Sequence, residues 1–402
     1  MNKSIFFFVL LIFQSFSLAQ WSQAINGMGN VPVTALLAEG DTLYAGSNFD
    51  VYKSTNQGNN WFTINNGLPV FTNFNSIVRS GNYLVAGGDS PGIWLSSNNG
   101  SSWFRTTSGV DSNEYVYSFF VDGNNVYAAI GNTSAVGIST NNGLTWVKST
   151  NGLASSQVIT GVTKLGSKLF ATHSALGLYV STDNGVSWAL QPGAIGAQDK
   201  NAIVTSGNNL CVAATNGVWT STDNGANWVH TLTTGILSGF GREGANLYAV
   251  GSLPPYKSSD NGITWQAVDN NGLSTFIQNT IQFTSQYAFI NTYGIGVYRR
   301  LKSQITSVET ETNIPHAFLL EQNFPNPFNP STRIQYQVSS NSHVSLKVYD
   351  ILGNEVATLA DEYKPAGSYE VEFGAANLAS GIYFYKLQAG SFVETKKMVL
   401  IR

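Results

Sequence analysis

Between residues 33 and 300 the chain is a succession of short apolar runs broken by Gly, Asn, Asp, Ser and Thr. The runs come in pairs, as in Val33–Leu37 then Thr42–Ala45, or Ala202–Thr205 then Leu210–Ala214. A third follows each pair, as in Val51–Ser54 or Gly217–Ser221. Such runs are too short for helices and predict strands joined by tight turns. Each triplet leads into one motif, Ser-x-(Asp/Asn)-x-Gly-x-x-Trp, which occurs six times: Ser54 to Trp61, Ser96 to Trp103, Ser139 to Trp146, Ser181 to Trp188, Ser221 to Trp228 and Ser258 to Trp265. Its tryptophans stand 42, 43, 42, 40 and 37 residues apart. Four strands of five or six residues with their turns need about 40 residues, the size of one four-stranded blade. A sandwich would not repeat one sequence at this period.

The ends of the repeat set the number of blades. Trp21-Ser-Gln-Ala-Ile-Asn-Gly-Met matches the stretch that begins at Trp61 but has no box before it. Thr280–Arg300 matches the first three strands of a repeat but has no tryptophan after it. The first strand therefore completes the last blade, and Trp21 plus six box tryptophans make seven outer strands. The expected fold is all-β: a seven-bladed β-propeller closed by its N-terminal strand, followed by a small C-terminal β-sandwich. Closure of this kind removes the exposed sheet edges that invite aggregation.

The motif's chemistry is structural. Asn56, Asn98, Asn141, Asp183, Asp223 and Asp260 can each accept hydrogen bonds from turn amides. Half of them are Asn, a change that a turn acceptor tolerates and a general acid or nucleophile would not. Trp61, Trp103, Trp146, Trp188, Trp228 and Trp265 each bury a large ring, worth roughly 2–3 kcal/mol or more. The motif resembles the Asp box of sialidases, sortilin-like receptors, xyloglucan hydrolases and the photosystem II assembly-factor propellers. These residues are read as scaffold.

The last 80 or so residues have another texture. Proline-rich Phe324–Pro330 can be neither helix nor central strand. Alternating segments follow at Arg333–Val338, His343–Tyr349, Glu355–Leu359, Ser368–Phe373, Ile382–Gln388 and Phe392–Ile401, which suits a small sandwich. Gln322–Thr332, Val348–Gly353, Leu378–Tyr385 and the terminal Lys396–Arg402 closely resemble, in order, the type A C-terminal sorting domain of the type IX secretion system of Bacteroidota. The resemblance implies passage over the inner membrane, recognition at the outer membrane, and removal of the tail. The cargo is then released or attached to surface lipopolysaccharide.

The N-terminus fits that route. Lys3, the apolar run Ile5–Phe13 and the small-x-small site Ser17-Leu18-Ala19 read as a signal peptide. The run is too short to span a bilayer as a helix, and no transmembrane segment is expected in the mature chain. The expected organisation is a signal peptide at 1–19, the propeller at 20–300, a linker at 301–318 and the sorting domain at 319–402.

Composition excludes several functions. Charged residues are only 11% of the chain, against about 25% in an average domain. A net charge of −3 offers no basic surface for a phosphate backbone, so no nucleic-acid partner is expected. One cysteine and four scattered histidines give no metal-ligand spacing, and no metal or cofactor is called for.

The face opposite the boxes carries the blade-to-blade loops, where propellers usually place ligands. Sialidase chemistry would need three arginines converging on the substrate carboxylate. Arg79, Arg105, Arg242, Arg299 and Arg300 are not spaced to converge, so that activity is not expected. A neutral-sugar glycosidase would need only two carboxylates roughly 5–10 Å apart. Candidates are Asp50, Asp89, Asp111, Glu114 and Asp199, with His173 and Lys200 nearby. Loop aromatics on the same face are Phe49, Phe71, Phe74, Tyr115, Phe240, Phe276 and Tyr293, suited to stacking on sugars or docking a peptide. The ligand-binding set is taken as Phe71, Phe74, Asp89, Asp111, Glu114, Tyr115, His173, Asp199, Phe276 and Tyr293, with no catalytic residue assigned. The expectation is a secreted or cell-surface binding module for a glycan or protein. The alternative is a single-propeller glycoside hydrolase.

Overall fold

The computed structural model describes residues 20–305 and 318–401, apart from 71, 90, 91, 107, 111, 112, 156, 157, 192–194, 196–198, 253, 274–276, 340, 341, 365, 366 and 391. The signal-peptide reading of residues 1–19 lies outside them. The chain divides into two compact units, Met1–Val308 and Glu309–Arg402.

Among its described residues the first unit holds seven four-stranded antiparallel sheets. Six are built from consecutive strands, and in the seventh Ser22–Gln23 pairs with Gly296–Leu301 as the fourth strand. The innermost strands, taken in order as sheets 1 to 7, are Val33–Glu39, Phe74–Ser80, Val116–Asp122, Ile159–Leu165, Lys200–Ser206, Leu237–Glu243 and Gln278–Phe283. Each packs beside the next, and Gln278–Phe283 packs beside Val33–Glu39. The cores lie between neighbouring sheets: Tyr44, Ile64, Phe74, Ile77 and Trp103, for example, form one cluster.

All seven innermost strands share one irregularity. Pairing with the second strand skips a residue at Thr34, Asn75, Tyr117, Thr160, Asn201, Ser238 and Asn279. A bulge of this kind re-aims the extra side chain. Here it lets polar groups bridge the sheets. Thr34 Oγ1 donates to the Phe74 carbonyl at 2.7 Å, Asn75 Nδ2 to Val116 at 3.3 Å and Asn201 Nδ2 to Leu237 at 2.6 Å. Ser118 and Thr280 donate to Thr160 and Phe240, both at 3.0 Å, and Asn279 donates to Val33 at 3.3 Å.

The six boxes are turns of one geometry. In the fourth box Ser181 Oγ donates to Asp183 Oδ1 at 2.7 Å and accepts from Gly185 N at 2.8 Å. The same Asp183 oxygen accepts from Ser187 N at 3.0 Å. The Asn boxes do likewise, with Ser102 N at 2.9 Å from Asn98 Oδ1. Only an acceptor oxygen is needed, so Asn serves as well as Asp.

A second strap was not anticipated. Among the described residues, the turn after four of the outermost strands clips onto the next sheet's tryptophan: Trp61 N donates to Asn26 O at 2.8 Å, and Trp103 N to Asn66 O and Trp188 N to Asn151 O at 2.9 Å. The last joint is the same, with Trp21 N donating to Asn271 O at 2.8 Å.

Residues 301–305, read as the start of a linker, belong to this first unit. Lys302 Nζ reaches Glu243 at 2.6 Å, and Ile305 packs against the core beside Trp21. The apolar contact and the ion pair hold the chain against the sheets where composition suggested only polarity.

The second unit has two sheets around one core. Leu319–Leu320, Ser331–Val338 and Gly367–Gly374 form one, and Glu355–Lys364, Ser342–Tyr349, Gly381–Ala389 and Phe392–Leu400 the other. Ile334, Tyr336, Leu346, Tyr385 and Met398 share the core. The proline-rich segment is pinned by polar bonds. Asn323 N donates to Tyr385 Oη at 2.8 Å, Gln322 Nε2 to Lys397 O at 2.9 Å, and Asn326 Oδ1 accepts from Val399 N at 2.9 Å. Phe328 is buried, whereas Phe324, Ile351 and Leu352 face solvent.

Candidate functional site

A cavity of about 800 Å³ lies where the seven innermost strands meet, and every one of them lines it. Its wall is largely the bulge residues and their neighbours, among them Thr34, Asn75, Tyr117, Thr160, Asn201 and Asn279. Loop residues Asp89, Asp199, Thr215, Ile236, Ile277 and Tyr293 complete the lining. The bulges thus do two jobs: they bond sheet to sheet, and they place polar groups on the wall.

Three of the residues expected to bind ligand meet here: Asp89, Asp199 and Tyr293. Asp89 follows strand Tyr83–Gly88 and is held on both oxygens. Asn75 Nδ2 donates to Oδ1 at 2.6 Å and Asn73 Nδ2 to Oδ2 at 3.0 Å. Tyr115 pairs with Asp89 through an isolated bridge and is well exposed, but it does not line the cavity. Phe71, Asp111 and Phe276 lie outside the described residues.

Three others are corrected. Phe74 is in the core between sheets 1 and 2, 1% exposed, because it precedes the bulge and points between the sheets. Glu114 is 2% exposed and turned inward, where its Oε1 meets Lys148 Nζ at 2.6 Å and the Thr133 hydroxyl at 3.1 Å. His173 is fully buried against Tyr179, and its Nδ1 accepts from Leu176 N at 3.2 Å. All three were assigned to loops on sequence position, which does not tell inward from outward at a strand end. Of the wider candidates, Asp50 accepts from Tyr52 and Asn65 within its own sheet, while Phe240 lines the cavity and packs against Trp265.

Sequence reasoning missed Tyr117. Its ring lies so close over Gly131 that a Cβ there would stand 2.3 Å from Cε2. Burial, then the nearby Asp89 charge, raises its phenol above the usual range. The signal was present as a polar or aromatic residue recurring at the second position of each innermost strand. It gains meaning only once the bulge is seen.

The arginines are engaged elsewhere. Arg79 forms a two-point pair with Glu39 at 2.7 and 2.6 Å, and buried Arg300 meets Asp269 at 2.8 Å. Arg299 donates to Gln57 O at 2.8 Å and Arg242 to Thr205 O at 2.6 Å. Among the described residues no group of three or more His, Cys, Asp or Glu side chains could hold a metal ion, and no helix is long and apolar enough to cross a membrane.

Residues 322–401 match the family described as the secretion system C-terminal sorting domain. The second unit carries a type IX sorting tail. The matched residues include the pinned proline-rich segment and the final strand on which it rests. No curated protein sequence matches the chain significantly. Solved structures that resemble it are β-propellers. YCF48 bound to D1 peptide is 16% identical with a TM-score of 0.54, covering 72% of this chain and 98% of that one. The WD40 β-propeller domain of Doa1 is 11% identical with a TM-score of 0.56, covering 73% and 100%. PorZ, a surface component of the type-IX secretion system of Porphyromonas gingivalis, is 13% identical with a TM-score of 0.51. That match covers 95% of this chain and 61% of PorZ, so the chain spans about three-fifths of its length. At these identities the likeness is one of fold.

Proposed function

We propose that this is a secreted or cell-surface β-propeller, carried through the periplasm by a signal peptide at 1–19 and exported through its sorting tail. We infer that the seven sheets of the first unit are seven blades, closed by the strand after Trp21, and that the unit binds a glycan or a protein in its central opening without catalysis. The cavity carries this reading: a concave site of about 800 Å³ with exposed Tyr117, Asp89, Asp199 and Tyr293 is of ligand size. YCF48, a propeller of similar fold, is known bound to the D1 peptide. The sorting tail supplies the remaining partners, the type IX machinery and, after processing, surface lipopolysaccharide.

A second reading is hydrolysis of a neutral polysaccharide by Asp89 and Asp199, favoured by their sharing one cavity. Asp89 is ill placed to act as the acid, since the Asn73 and Asn75 amides already occupy both of its oxygens. A binding screen against glycans and secreted proteins, run beside a polysaccharide-hydrolysis assay, separates the two. Binding lost in Tyr117→Ala without turnover supports the binding module. Turnover abolished by Asp89→Asn or Asp199→Asn would overturn it.

A further inference from the structure

Part of the hydrogen-bonding capacity of the cavity wall is already spent within the fold. Thr34, Ser118 and Thr280 donate their hydroxyl protons to carbonyls of adjacent sheets, and Asn75 donates to Asp89 and Val116. Asn201 and Asn279 each donate to a neighbouring carbonyl as well, and among the described residues none of these three amide oxygens accepts a bond. Carboxylate and amide oxygens thus remain on the wall as acceptors, beside hydroxyl and amide donors such as those of Ser238, Thr215 and Gln282. No Lys, Arg or His is among the described residues that line the cavity, while Asp89 and Asp199 both do. Tyr117 and Tyr293 add exposed rings, the first braced from behind by Gly131.

We propose that the opening accepts a lysine or arginine side chain presented by a protein partner, its charge met by Asp89 and Asp199 and its face by Tyr117. Ammonium and guanidinium groups are cationic donors without acceptors, which suits a wall with two carboxylates and no cation among its described residues. They also stack favourably on tyrosine. A neutral sugar would leave the charge of Asp89 and Asp199 unmatched. An acidic segment would meet two carboxylates of like charge. The inference rests on the reading that the ligand occupies the opening, and it narrows that ligand from a glycan or protein to a basic protein segment.

The test uses the full mature chain and four probes: tetra-arginine, tetra-lysine and tetra-glutamate peptides with blocked ends, and cellotetraose. Binding is followed by calorimetry at low and high salt, with thermal unfolding as a folding control for each variant. The expected result is binding of the basic peptides alone, weakened about fivefold by either Asp89→Asn or Asp199→Asn and further by salt. Asp199→Asn guards against a local effect, since Asp89 is bonded to Asn73 and Asn75. Failure of the basic peptides to bind, or binding indifferent to both substitutions, overturns the proposal. If cellotetraose or tetra-glutamate binds and only Tyr117→Ala abolishes it, the opening stands as the site and the basic ligand falls. Binding that survives Tyr117→Ala and Tyr293→Ala together removes the opening itself.

Discussion

Asn291 donates its side-chain amide to the Val33 carbonyl at 2.9 Å, joining sheet 7 to sheet 1 across 258 positions of sequence. Asn279 donates to the same oxygen at 3.3 Å, and the other end of the Asn291 amide accepts from Thr280 N at 3.0 Å. One buried amide thus holds both the joint and the bulge beside it. Asn291→Ala leaves the Thr280 amide without its acceptor and should cost about 1–3 kcal/mol. In urea unfolding the midpoint should fall with the slope unchanged. A midpoint equal to that of the parent protein would show that this joint contributes nothing.

Gly152→Ala tests the strap between sheets 3 and 4. Gly152 has φ +83°, and a Cβ there would stand 1.9 Å from the Trp188 carbonyl. Backbone on both sides leaves no flexible group to give way. The substitution should destabilise by about 2–4 kcal/mol, as strain at a special backbone position does. Gly123→Ala, where nothing lies within 4 Å but φ is +61°, should cost visibly less. Equal losses at the two sites would discredit the strap as the cause.

The box carboxylates set an acid limit. Hydrogen bonds from the Ser187 hydroxyl and amide, and then from Ser181, hold the Asp183 carboxyl down to about 2, below its ordinary 3.8. A depressed folded value means that stability is present above the ordinary value and is lost as pH falls through the folded one. Unfolding followed from pH 5 to pH 1.5 should therefore show a loss concentrated between about pH 4 and pH 2. Asp183→Asn keeps the turn acceptor and should flatten this part of the profile, with little change at pH 7. An unchanged acid profile in the variant would rule out Asp183 as a contributor.

Removing Leu320–Arg402 deletes the sorting tail. The truncated protein should accumulate in the periplasm instead of reaching the surface or the medium, as read by fractionation and immunoblotting. Appearance of the truncated chain in the medium at the level of the full chain would show that another signal directs export.

The candidate site was legible in part. Asp89, Asp199 and Tyr293 could be assigned to one face from strand order alone, because loops between blades must gather at one end of the repeat. Phe74, Glu114 and His173 could not be told apart from them, since a residue at a strand end turns inward or outward by a single step of register. Tyr117 escaped notice for a related reason: its position recurs as polar or aromatic in every innermost strand, but only the bulge shows which way the side chain turns.

The repeat itself was decided by sequence. A box of Ser, Asx, Gly and Trp closes on bonds among its own eight residues, so its presence is visible in any single copy, and its period sets the strand count. The sorting tail is legible from its ordered motifs, although Gln322, Asn323 and Asn326 act through bonds to Lys397, Tyr385 and Val399, 62 to 75 positions away. What only the tertiary structure decided is everything that depends on a neighbouring sheet. Val33 meets Asn291, Gly152 meets Trp188, and seven bulges meet around one cavity because distant strands pack side by side. The bulge and strap positions recur along the chain, but which residues they meet is set by other strands and cannot be read from any one repeat.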